Sequence, residues 1–134
     1  MNAKKGAPEP TPIKSLPEFN DLLDEVSQNK VVVIDLHQEW CGPAAAIQPF
    51  WNSQWLEVEN AKDRIALCSI CLDADKALLA RVQKDCEVKL NTTCKPVFLL
   101  LRLGQVVGTV DGLNTAVLSM LLDLHLPKLP KKTD

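Results

Sequence analysis

Residues 39–51 read EWCGPAAAIQPFW, and Cys41 is the member of that stretch best suited to covalent chemistry. A thiol becomes a nucleophile as its thiolate, which a helix N-terminus stabilises through free backbone N–H groups and the helix macrodipole. The residue order predicts that placement. The run VVVIDL at 31–36 ends shortly before Cys41, Gly42 permits close approach of the backbone, and Pro43 presets the first helical φ. The chemistry would be attack on a disulfide sulfur. Completing the exchange within one chain takes a second thiol nearby, and the position three residues on holds Ala44. As written, the motif can capture a sulfur partner and cannot release it.

The other cysteines read differently. Cys41, Cys68, Cys71, Cys86 and Cys94 make five, an odd number in a chain that is 46% hydrophobic and can build a core without staples. That points to a reducing compartment rather than a secreted disulfide framework. Cys68 and Cys71 have C-x-x-C spacing, but IALCSICLD is an apolar strand-like run in which residues three apart point to opposite faces, so no metal is expected. They read as strand residues packing as small hydrophobes. Cys86 and Cys94 are candidate regulatory thiols. His37 and His125 have no cluster of ligating partners and take ordinary roles, while Trp51 and Trp55 read as core and rim packing.

The 134 residues suffice for one domain, and a net charge of −2 with a pI near 5.7 gives no footprint for nucleic acid or an anionic membrane. No apolar run reaches membrane-spanning length, and MNAKKGAPEPTPIK has no apolar segment after its charges. A cytoplasmic protein without cofactor is expected. Residues 1–12, with three prolines, read as a flexible tail, 13–126 as the domain, and 127–134 as a basic tail.

Ser15 and Glu18 form a capping box, with Phe19, Leu22, Leu23 and Val26 on one face of the helix that follows. VVVIDL reads as a strand covered on both faces. Pro49 should kink the helix after the cysteine. IALCSICLD is a strand, ADKALLARVQKD a helix with Leu78, Leu79 and Val82 inward, and VFLLLRL with QVVGTV a hairpin turning at Gly104. Asn114 caps a last helix. The order predicts an α/β fold, a central mixed sheet of about four to five strands with about four helices on both faces.

These features together resemble the thioredoxin family over about residues 11–125. Asp35, six residues before Cys41, matches the buried acid of that family, Pro49 its helix kink, Pro96 its cis-proline, and Gly104 and Gly112 its hairpin and C-terminal glycines. The resemblance implies the thioredoxin fold, a redox-active centre, and a groove in which Trp40, Gly42, Pro43, Lys95, Pro96 and Gly112 bind an extended peptide beside the nucleophile. In the family Asp35 would take the proton of a resolving thiol, which Ala44 does not carry. The sequence CEVK at 86–89, with Cys94 shortly before Pro96, resembles animal cytosolic thioredoxins apart from the inserted LNTT at 90–93.

HQEW and IQPFW look most like the thioredoxin-related light chains of ciliary outer-arm dynein. That likeness implies a protein-binding subunit of a motor complex in the axoneme of a cilium or flagellum, with a dynein heavy chain or other arm subunit as partner. The competing expectation is a cytosolic dithiol oxidoreductase whose resolving cysteine has been replaced. Enzymatic turnover is expected to be small in either case as the sequence stands.

Overall fold

The computed structural model describes residues 6–38, 44–73, 75–85 and 96–128. Five strands form one mixed sheet: β1 (Thr11–Pro12), β2 (Val31–His37), β3 (Ile65–Cys71), β4 (Val97–Arg102) and β5 (Gln105–Asp111), in the order β1-β3-β2-β4-β5. β3 runs parallel to both β1 and β2, while β4 is antiparallel to β2 and β5. The expected thioredoxin architecture is therefore present.

Helices cover both faces. Ser15 caps α1 (Leu16–Asp21), accepting from the Glu18 N–H at 3.4 Å, while the Glu18 carboxylate accepts from the Lys14 N–H at 2.7 Å. The helix widens into a π-helical turn at Leu22–Val26 and ends in α2 (Ser27–Asn29). Phe19 and Leu22 from it, with Leu78 and Val82 of α5 (Lys76–Asp85), bury the sheet face formed by Val32, Ile34, Leu36 and Ile70. The Arg81 guanidinium lies 5.3 Å from the Phe19 ring centre and joins the two helices. The other face carries α3 (Gln48–Glu57), the short α4 (Ala61–Arg64) and α6 (Thr115–His125), which pack Ile47, Trp51, Ala61, Leu118 and Leu122 onto Val31, Val33, Phe98 and Leu100. Trp51 is buried and Trp55 packs at the edge of that cluster, as their spacing suggests.

The β4–β5 turn is Leu103–Gly104, with φ of 54° and 77°, so both central residues are left-handed, as a two-residue hairpin of this hand requires. Arg102 and Ser27 fasten that hairpin to the helix end. The guanidinium donates to the carbonyls of Ser27, Gln28 and His125 at 2.8–3.1 Å, and the buried Ser27 hydroxyl accepts from the Gly104 N–H at 2.9 Å. Asn114 caps α6 through the Val117 N–H.

Three expectations need correction. Ala44 has an extended backbone, φ −70° and ψ 101°, and helical geometry begins with a 3₁₀ turn at Ala45–Ile47. Helical geometry therefore starts after Ala44, and Pro49 sits in the first turn of α3, where its missing N–H costs nothing, instead of kinking a helix interior. The expected tail up to residue 12 is structured from Gly6 onward. Thr11 and Pro12 pair with β3, and Asn52 accepts from the Ala7 N–H at 2.9 Å while Gln48 donates to the Ala7 carbonyl at 3.3 Å. At the other end, packing runs past Leu126, and the Pro127 carbonyl accepts from Arg64 at 2.9 Å.

Candidate functional site

β2 is buried from Val31 to Leu36, so its period-two pattern places Asp35 inside the α3 face at the carboxyl end of the strand. Asp35 is 4% exposed. Its Oδ2 accepts the Ala44 N–H at 2.8 Å, while Oδ1 is buried with no hydrogen-bond partner among the described residues. Burial pushes the carboxyl above the usual carboxylate range, and the Ala44 N–H and the nearby His37 only partly oppose this. Oδ2 receives the amide proton, and a cavity of about 10 Å³ beside Asp35 is lined by Pro10, Val33, Trp51, Leu67, Cys68 and Phe98.

Across the end of β2, the pair Leu36–Val97 brings Pro96 to the same end of the sheet. The Gly112 N–H donates to the Pro96 carbonyl at 2.7 Å, and Gly112, with φ of 86°, makes the turn that permits it. Thus Asp35 meets Ala44, and Pro96 meets Gly112, as two linked pairs around one strand end. Trp40, Cys41, Gly42, Pro43, Cys86, Cys94 and Lys95 lie outside the described residues. So does the peptide bond from Lys95 to Pro96, for which the cis form is expected.

The matching family model, Thioredoxin, spans residues 12–123. The chain belongs to the thioredoxin family. Human thioredoxin is 34% identical over 102 residues, covering 76% of this chain and 85% of its own. The peptide-N(4)-(N-acetyl-beta-glucosaminyl)asparagine amidase of Caenorhabditis elegans is 27% identical over 120 residues, 90% of this chain but only 18% of the amidase. Among solved structures, oxidised mitochondrial thioredoxin 3 of Saccharomyces cerevisiae superposes with a TM-score of 0.57 at 29% identity, covering 83% of this chain and 91% of its own.

Within a thioredoxin fold, the Ala44–Asp35 bond has a clear consequence. Position 44 is where a resolving sulfur would stand, and there the acid grips backbone N–H. Asp35 holds the backbone at the start of the 44–47 turn, and the residue at position 44 carries no thiol. Among the described residues no three His, Cys, Asp or Glu side chains gather to hold a metal ion, and no helix is long and apolar enough to cross a membrane.

The carboxyl ends of β1, β2 and β3 also frame a cleft of about 730 Å³, lined by His37, Ala44, Ile47, Gln48, Ser69 and Cys71 among others. Ligands of α/β sheets commonly occupy this end. Taking His37 and Cys71 as ordinary packing residues missed this cleft. The signal was available: D-x-H and S-x-C close two adjacent apolar runs with polar side chains at every second position.

Proposed function

We propose that this thioredoxin-family chain is a light chain of an axonemal outer-arm dynein, which holds a partner polypeptide through its single motif thiol, Cys41, without catalytic turnover. The observation that carries the single-thiol reading is the alanine at position 44, whose N–H is bonded to Asp35 at 2.8 Å. The acid is engaged with backbone, and the side chain at that position is a methyl group. Intramolecular resolution of a mixed disulfide gains several orders of magnitude over attack by an external thiol, so its loss converts exchange into capture. The motor-complex part rests on HQEW and IQPFW around the motif. The partner is a dynein heavy chain or another arm subunit, reached through Trp40, Gly42, Pro43, Lys95, Pro96 and Gly112, in the cytoplasm and the axoneme. Affinity purification from axonemal extracts tests this. The heavy chain should be recovered with the protein, and extracts that yield the protein without any dynein-arm subunit would refute the light-chain reading.

One observation favours a second reading, a cytosolic dithiol–disulfide oxidoreductase with alanine in place of its resolving cysteine. Asp35 remains buried, with its carboxyl raised, one hydrogen bond from residue 44. That is where a carboxylate would accept a resolving thiol's proton. The native codon for residue 44 decides: cysteine restores the enzyme, and alanine supports the single-thiol protein.

A further inference from the structure

The sheet face under α3 is apolar at one end and polar at the other. Val31 and Val33 of β2, with Ile65 and Leu67 of β3, are buried in the core. Continuing at the same period-two spacing come Asp35 and His37 on β2, and Ser69 and Cys71 on β3, paired in register as Asp35 with Ser69 and His37 with Cys71. Asp35 is bonded to Ala44. The other three line the 730 Å³ cleft, whose volume lies in the range of small-molecule sites.

Each of the three brings something a ligand could use. Cys71 is a free, half-buried thiol, in contrast to Cys68, which is buried on the opposite face with its thiol pushed up to about 11. Adjacent strands lie about 4.8 Å apart, so His37 and Cys71, paired in register, are neighbours across two strands and line the same cleft. The His37 Nδ1 lies 3.0 Å from the Gln38 carbonyl, which can only accept, so Nδ1 carries the proton and Nε2 is left as the ring's proton acceptor. Ser69 is 4% exposed, lines the cleft, and has no hydrogen-bond partner for its hydroxyl among the described residues. The space it borders is open to a ligand. Pro10, Pro12, Ile13 and Ile47 supply apolar walls, and Glu9 and Lys14 supply one anion and one cation.

We propose that Cys71 is a second reactive thiol of this protein, which takes a small peptide-like disulfide of the glutathione class into the cleft and keeps one half of it as a mixed disulfide. Glu9 and Lys14 match the ammonium and carboxylate groups of such a ligand, and the Ser69 hydroxyl can bond to its peptide groups. In the step, His37 Nε2 takes the Cys71 proton, and the thiolate attacks one sulfur of the ligand. A Cys71–ligand S–S bond forms as the ligand's own S–S bond breaks, and the departing thiolate takes the proton from His37. One disulfide is consumed and one made, with one small thiol released. A second small thiol reverses the step.

The inference is independent of Cys41 and of the dynein reading, and the test separates them. The whole chain carrying Cys41→Ser is incubated with oxidised glutathione, and its cysteines are mapped by mass spectrometry without reduction. An adduct on Cys71 is expected, formed at least about tenfold faster in the folded chain than in urea, with His37→Gln or Ser69→Ala slowing it. Modification confined to Cys86 or Cys94, or a Cys71 rate no higher folded than unfolded, would overturn the proposal.

Discussion

Replacing Asp35 by asparagine tests whether burial governs the site's electrostatics. Folding raises the carboxyl above its ordinary value of 3.8, so the folded chain holds this proton more tightly than the unfolded chain does. Stability contributed by the neutral acid is therefore fully present below 3.8 and is lost as pH rises towards the raised folded value, after which the penalty stays constant. The substitution Asp35→Asn keeps a side-chain oxygen for the Ala44 N–H and removes the ionisation. A buried polar atom without a partner costs about 1–3 kcal/mol, more when charged, so losing the charge should stabilise the chain by about 1 kcal/mol or more above that window. With a urea slope of about 2 kcal/mol/M, the midpoint should rise by about 0.5 M there and by almost nothing at the acidic end. A difference between parent and variant that stays flat with pH, or that favours the parent as pH rises, would refute the reasoning.

Other outcomes follow from individual contacts. Arg102→Ala removes the guanidinium from the carbonyls of Ser27, Gln28 and His125, and should cost about 1–3 kcal/mol in urea unfolding. Asn52→Ala frees Ala7 and should raise amide exchange at residues 7–10 while leaving β4 and β5 protected. Cys68, buried with its thiol pushed up to about 11, should resist alkylation in the folded chain and react on unfolding, whereas Cys71 should be labelled without unfolding.

Much of the fold was legible because its signals are local. Ser15 with Glu18, the unbroken β-branched run at 31–36, and Asn114 before an apolar helix each fix an element by chemistry within a few residues. Pro49 misled for a specific reason: the same residue kinks a helix interior and starts a helix, and only the backbone at Ala44 distinguishes the two. The first residues differ from the expected tail because prolines weaken a ladder without excluding one: Thr11 and Pro12 pair with β3, and the Ala7 amide bonds to Asn52, forty-five positions away. The site divided in the same way. Asp35 followed from the family resemblance and Ala44 from the motif, but the pairing of His37 with Cys71 depends on the register of two strands, which neither segment shows alone.

The most direct test of the single-thiol account is insulin reduction by the chain as it stands beside Ala44→Cys, with a regenerating reductant. The account expects almost no turnover from the first and measurable turnover from the second, since only the variant restores a sulfur beside Asp35. Comparable turnover by both, or none by either, would contradict it.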